Sequence, residues 1–521
     1  MYIAEYCCLS HNSNYIMCFT PFYATMNLGM KLGFDNEKYI KIQSQNILKR
    51  TKLFDKLYIE IGGKLFDDTH ASRVIPGFKP DVKIKMFQKL KKDVEVIFCI
   101  SANDIERNKV RAEYGITYDM EVIRLIGNLQ EMGFAINSVV ITLYKNQPTV
   151  DKFMATLKRY KIKTYIHRYT KGYPTDIDTI VSKEGYGANP YIKTKRKIIL
   201  VTAPGPASGK LATCLSQLYH EHNRRVNAGY AKFETMPIWN LPLKHPANMA
   251  YEAATADLGD VNMIDNFHLE EYGVGAVSYN RDLEVFPVLK TILHRITGKD
   301  IYKSPTDMGV NMIGECITDD RVVQEASKKE IVRRYFNEMC NYKLGITNYI
   351  VPERVKKLMN ELGIDEYYLD VVKPALEKSK KEKKHVISLK LSSGEIITGK
   401  ETDLLSPASS LILNAIKELS NIPDNINLLS PTILKPMLEL VPRMGDRDRC
   451  LGLEEVLIAL SISSVTNPSV EEGLNSIKEL AGCDAHATYM VSNGDLRMLK
   501  RLRINLTCQP VFYSNKIYIS S

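Results

Sequence analysis

From Leu57 to about Ser182 the chain alternates short, apolar, β-rich runs with amphipathic stretches of three or four helical turns. The runs are "LYIEI", "VEVIFCI", "NSVVITLY" and "KTYIHRY", and between them stand "DVKIKMFQKLKK", "DMEVIRLIGNLQEMG" and "TVDKFMATLKRY". A strand followed by a helix and another strand packs back on itself as a right-handed βαβ unit, so the alternation calls for a mostly parallel sheet. Ligands of such sheets lie beyond the strand C-termini. A second region opens at "RKIILVTAPG", repeats the logic once, and becomes richer in helix and loop through about Asp370. A third begins with a hairpin-like pair of strands around Ser393-Gly394, continues with helices and returns to strands at "HATYMVS" and "KIYIS".

At 521 residues the chain exceeds the size at which one hydrophobic core stops growing. The expected class is therefore α/β, with two consecutive Rossmann-like or P-loop-like parallel-sheet domains (30–194 and 195–372). A basic linker (373–385) and a smaller C-terminal α/β domain (386–521) follow. Residues 1–29 read as a non-functional N-terminal extension, because "MKLGFDNEKY" from Met30 has the look of a natural start and no basic segment precedes an apolar one.

The formal charge of +10 is spread among interleaved acids, which does not imply a nucleic-acid partner, and no apolar run is long enough to span a membrane. The ten cysteines form no paired framework, and several sit inside apolar patterns, as reduced thiols of a cytoplasmic protein do.

The turn "APGPASGK" carries the chemistry. It joins an apolar strand ending at Thr202 to a helix starting near Leu211. Glycines admit a close backbone approach, a helix N-terminus offers free N–H groups and a lysine adds positive charge, which together make a phosphate cradle. Gly205, Ser208, Gly209, Lys210 and Thr213 are the expected nucleotide ligands. The match to a Walker A loop fails twice: the first glycine falls one residue late, and Leu211 stands where a Ser or Thr would bind magnesium. ATP is thus the expected cofactor, and Mg would need Thr213, Ser208 or an acid such as Glu234 to take over that position.

Polar loops beyond other strands supply the expected second-substrate ligands: Lys64 after Gly62-Gly63; Arg107, Lys109 and Arg111; Lys171, Asp176 and Asp178; and Ser304, Thr306 and Asn311 in "KSPTDMGVN". Lys210, Asp257 and Asp307 are the expected catalytic residues, with Asp260 as a further acid. His220 and His222 lie about 200° apart on a helix and cannot share a metal. Cys483, His486 and Cys508 read as core residues rather than zinc ligands. Trp239 reads as the anchor of a proline-rich loop.

"YIEIGGKLFDD" resembles the first strand and glycine turn of amino-acid kinases, and "TDIDTIVSKEGYGANPYI" is loosely similar to their later loop, while their doubly glycine third loop is absent. From Met30 almost to the C-terminus the chain resembles a bacterial group, uncharacterised protein family 0371 (domain of unknown function 1846). The residues carrying the likeness include "IEIGGKLFDDTHASRVIPGF", "DIERNKVRAEYGITYD", "TAPGPASGKLATCLSQLYHE" and "KSPTDMGVN". The resemblance implies a cytosolic bacterial protein. The label of ATP-dependent zinc protease sometimes attached to the group finds no H-E-x-x-H here. The preferred reading is a phosphotransferase or ATP-dependent ligase binding a nucleotide or phosphorylated metabolite; the alternative is a non-catalytic metabolite-sensing or oligomeric assembly protein. The expected partner is a phosphorylated small molecule, with homo-oligomer formation left open.

Overall fold

The computed structural model describes residues 32–111, 115–440 and 450–513. The expected N-terminal extension lies outside them. Among the described residues, two compact units separate, one comprising 387–485 with 492–505 and the other 32–386 with 486–491 and 506–513.

The larger unit is built on six strands: β1 (Lys56–Ile61), β2 (Val94–Ser101), β3 (Ala135–Thr142), β4 (Lys163–Ile166), β5 (Ile198–Thr202) and β6 (Ala228–Phe233). They form one sheet in the order β4-β3-β2-β5-β1-β6, with every neighbouring pair parallel. The strands expected to make two successive sheets therefore make one, because β5 inserts between β1 and β2. Periodicity identifies a strand, but only the packing of its two faces selects its neighbours.

Side chains alternate between two cores, as a sheet covered on both faces requires. Leu57, Ile59 and Ile61 of β1 join one core with Phe98 and Ile100 of β2, whereas Tyr58, Ile97 and Cys99 join the other. The helices Val82–Lys89, Tyr118–Glu131 and Pro148–Arg159 cover the first face through Phe87, Val122, Leu125, Phe153 and Leu157. Lys210–Asn223 and Asn280–Thr297 cover the second through Cys214, Leu215, Leu218, Phe286 and Leu289. This split follows from handedness. The connections from β1 to β4 step one way across the sheet and β5 to β6 steps the other, so right-handed crossovers put their helices on opposite faces. The reversal flanks β5, and its C-terminal end is the topological switch point of the sheet.

The C-terminal region carries four strands, β7 (Val386–Lys390), β8 (Ile396–Lys400), β9 (Asp484–Ala487) and β10 (Asn505–Cys508), in the order β8-β7-β9-β10. The basic run expected as a linker lies mostly in the helix Val372–Glu382. Among the described residues no helix is long and apolar enough to cross a membrane.

Candidate functional site

The turn after β5 is held closed by one polar atom from β3 and one of its own. Thr142, at the end of β3, donates through Oγ1 to the Ser208 carbonyl at 2.8 Å, and Ser208 Oγ donates to the Gly205 carbonyl at 3.1 Å. Ala207 and Gly209 take positive φ of 55° and 79°. A Cβ on Gly209 would sit 2.8 Å from Thr142 Cγ2, and one on Gly205 would meet the Tyr118 ring 2.5 Å from its hydroxyl. Both glycines are thus fixed by close approach, and Gly209 by backbone conformation as well.

Gly209 is the N-cap of the 14-residue helix Lys210–Asn223 and provides no side-chain cap. The first-turn N–H groups consequently keep their capacity for an anion, reinforced by the helix dipole. Among the described residues Lys210 makes no ion pair or side-chain hydrogen bond. Below it burial pushes the Cys99 thiol up to about 12, against the contrary pull of Thr213 and of the Lys210 charge. Two expected ligands are committed elsewhere. The Ser208 hydroxyl is buried within the turn, and Thr213 is fully buried with its Oγ1 accepting from Cys99 Sγ at 3.4 Å.

Of the other expected ligands, Lys109 comes to the turn. Its Nζ lies 5.0 Å from the centre of the Tyr118 ring that covers Gly205, and 3.5 Å from Asp104. Lys64 follows the end of β1, one strand away, where its carbonyl accepts from the buried Lys83. Arg111 pairs with Glu121 at 2.6 Å, and Arg107 is an exposed helix C-cap. The segment beyond β4 is tied to surface partners: Lys171 to Glu184, Asp178 to Arg295, and Asp176 to the N-terminus of Ile177–Ile180. Asp257 lies 3.5 Å from Arg334 on the long helix Asp320–Lys343.

"KSPTDMGVN" braces the edge of the sheet. Gly309 bridges to Lys232 of β6, and Val310 N–H donates to the Lys232 carbonyl at 2.9 Å. Ser304 is fully buried and accepts from Asp307 N–H, Thr306 donates to the buried Asp265, and Asp307 accepts from Tyr272 Oη at 2.9 Å. Asn311 donates to the carbonyls of Thr235 and Pro237, while its own carbonyl accepts from Trp239 Nε1 at 2.8 Å. His220 and His222 have separate backbone partners. His486 hydrogen-bonds Thr507, and among the described residues no group of three or more His, Cys, Asp or Glu could hold a metal ion.

A second cluster lies at the end of β1 and β6, on the face carrying Lys210–Asn223. Lys232 Nζ contacts both carboxylate oxygens of Asp282, at 2.7 and 2.9 Å, and Glu234 Oε1 at 2.9 Å. Tyr230 Oη donates to Glu60 Oε2 at 2.8 Å, and a Cβ on Gly62 would collide with Glu234 Cγ. Burial disfavours the charge of Glu234; Lys232 opposes that, Asp282 and Glu60 add to it, and the carboxyl rises to about 7. From the sequence Glu234 is expected only as a substitute magnesium ligand. The signal in the chain for this cluster is a charged residue inside each of two apolar strands, Glu60 in "LYIEI" and Lys232 in "AGYAKFE".

A cavity of about 360 Å³ lies apart from these groups, lined by Tyr335, Phe336, Glu366, Tyr367 and Gln509. Its acid, Glu366, is paired with Lys356 at 2.7 Å.

Fold and site together define a doubly wound parallel α/β protein with an uncapped helix N-terminus at its switch point and, among the described residues, a lysine there without an ion-pair partner. The N-terminal model of the domain of unknown function DUF1846 matches residues 32–363, and the C-terminal model of the same family matches residues 368–518. The chain belongs to this DUF1846 family. It is 54% identical to a UPF0371 protein of Clostridium botulinum (strain Alaska E43 / Type E3) over 502 residues, covering 94% of this chain and 100% of the relative. A UPF0371 protein of Clostridium tetani (strain Massachusetts / E88) is 52% identical over the same coverage.

Proposed function

We propose that this chain binds a nucleotide or other phosphorylated metabolite at the turn after β5 and acts on it as a phosphotransferase or ATP-dependent ligase of the cytoplasm. One observation carries the reading: Lys210 stands without a partner among the described residues, at an uncapped helix N-terminus beyond the central strand. A phosphate there would accept first-turn N–H bonds and neutralise the ammonium. Lys109, with Tyr118 beneath it, would contact the rest of the ligand. A preorganised set of cations and N–H groups can stabilise a phosphoryl group in transfer without covalent participation.

Calorimetry with ATP, ADP, AMP and inorganic phosphate, each with and without magnesium, tests this reading. Lys210→Ala is expected to weaken binding by about tenfold or more, the worth of one charge-assisted contact. Equal affinity in the variant and the parent defeats it. The non-catalytic alternative draws on a different observation, the absence of a free hydroxyl where magnesium would bind: Leu211 occupies that position and Thr213 is buried against Cys99. Binding of anions that ignores magnesium favours the sensor; magnesium-dependent ATP binding favours the enzyme.

A further inference from the structure

The last turns of the long helix Asp320–Lys343 pack against the end of β10 along one face. Phe336, Cys340 and Lys343 stand three or four residues apart and so share a side of the helix. Phe336 meets the His486 ring with centroids 4.7 Å apart, Cys340 Sγ donates to the Cys508 carbonyl at 3.4 Å, and Lys343 Nζ lies 5.7 Å from the centre of the Phe512 ring. These contacts, taken in order along the helix, set two cysteines opposite each other. Among the described residues Cys99, Cys214, Cys316 and Cys483 are buried thiols, whereas Cys340, Cys450 and Cys508 are partly exposed.

The thiol contact bounds how far apart the two backbones stand. Sγ lies about 2.8 Å from its own Cα and a carbonyl oxygen about 2.4 Å from its own, so a bent S–H···O contact keeps the Cα atoms of Cys340 and Cys508 within about 8 Å. A disulfide spans roughly 4.4–6.8 Å between Cα atoms, and Cys508, as the last residue of β10, leads into a loop that can close the remainder. Burial pushes the Cys340 thiol up to about 12, with Cys508 adding to the effect, so Cys340 is held protonated and the first attack falls to Cys508.

We propose that Cys340 and Cys508 are a modification site, a dithiol that a low-molecular-weight disulfide converts reversibly to an intramolecular disulfide. The Cys508 thiolate attacks one sulfur of the reagent, forming a mixed disulfide and releasing one small thiolate. Cys340 then gives up its proton to solvent, and its sulfur attacks the Cys508 sulfur and expels the second small thiolate. The two cysteines lose two protons and two electrons, and the reagent gains both as two thiols. The bond acts on the cavity of about 360 Å³, because Met339 and Gln509, each next in sequence to one of the cysteines, line it. Closure ties those two walls together. The site does not depend on the phosphate-binding reading.

Glutathione disulfide is the probe, applied to the full folded chain, followed by acid quench, alkylation and digestion without reduction. Mass spectrometry should find a peptide pair joined through Cys340 and Cys508, two hydrogens lighter than the separate peptides and released by dithiothreitol. Conversion of the mixed disulfide to this bridge should quicken about tenfold per pH unit between pH 7 and 9, as the Cys340 thiolate fraction rises. Cys340→Ser should stop at the glutathione adduct of Cys508, and Cys508→Ser should leave Cys340 unreacted. Amide exchange around Gln509 should slow severalfold in the bridged chain. A glutathione adduct on Cys508 that never closes, a bridge found only between two chains, or an equal yield of the bridge in urea overturns the proposal. The parent chain alone decides these outcomes, whether or not the serine variants fold.

Discussion

Gly209 and Gly63 both sit at positive φ, 79° and 70°, yet their surroundings differ. A methyl on Gly63 meets nothing within 4 Å, whereas one on Gly209 runs into Thr142 at 2.8 Å. Gly63→Ala should therefore cost only the left-handed backbone conformation, about 1–2 kcal/mol. Gly209→Ala should cost that and the displacement of Thr142, which also releases the Thr142–Ser208 hydrogen bond, for roughly 1 kcal/mol more. Urea unfolding of the two variants reads the difference, and equal losses contradict the role assigned to Thr142. Gly209 and Lys210 are legible in the sequence because a strand, a glycine turn and a helix are contiguous. That Thr213 faces Cys99 is not, since which side of a helix meets the sheet depends on a strand more than a hundred residues away.

At the scale of elements, the helices Thr69–Val74 and Val82–Lys89 are joined through a buried ion pair, Lys83 Nζ to Asp68 Oδ2 at 2.6 Å. Burial opposes the ionised Asp68, but Lys83, His70 and the Ala71 N–H together hold the carboxyl below its ordinary range. Asp68 also caps the first of these helices by accepting from Ala71 N–H, and accepts from Thr235 Oγ1 beyond β6. Lys83→Met strands that carboxylate and should cost about 3–5 kcal/mol in urea unfolding, while the double change with Asp68→Asn should recover a large part of it. A single-variant loss below about 1 kcal/mol rules out a structural role for the pair. The amphipathic pattern of "DVKIKMFQKLKK" predicts the helix and marks its apolar face, but a lysine among solvated lysines gives no sign that it alone is fully buried.

For the molecule as a whole, acid stability follows from groups that protonate differently on unfolding. His167 and His486 are buried and held neutral, both lowered to about 3 by desolvation, with His220 adding to the effect on His167. Between their ordinary value of about 6.5 and that level the unfolded chain binds more protons, so stability falls as pH drops, by at most about 1.4 kcal/mol per unit for each histidine. Glu234, raised to about 7, acts in the opposite sense from about 4.5 upward, because the folded form then binds the extra proton. Urea midpoints measured from pH 7 to 5 should consequently flatten in His486→Gln and steepen in Glu234→Gln. Parallel curves for parent and both variants refute this assignment. The alternation of apolar runs and amphipathic helices dictated the α/β class, the existence of each strand and the glycine turn, because hydrophobic period and turn chemistry are local properties of the chain. Only the tertiary structure decided that two anticipated sheets are one, that the turn lies at its switch point, and that Glu234 and Asp282 close on Lys232 near the Tyr230–Glu60 pair. Strand neighbours and charge clusters depend on contacts between distant segments, whose free energy is settled by packing both faces of the sheet at once.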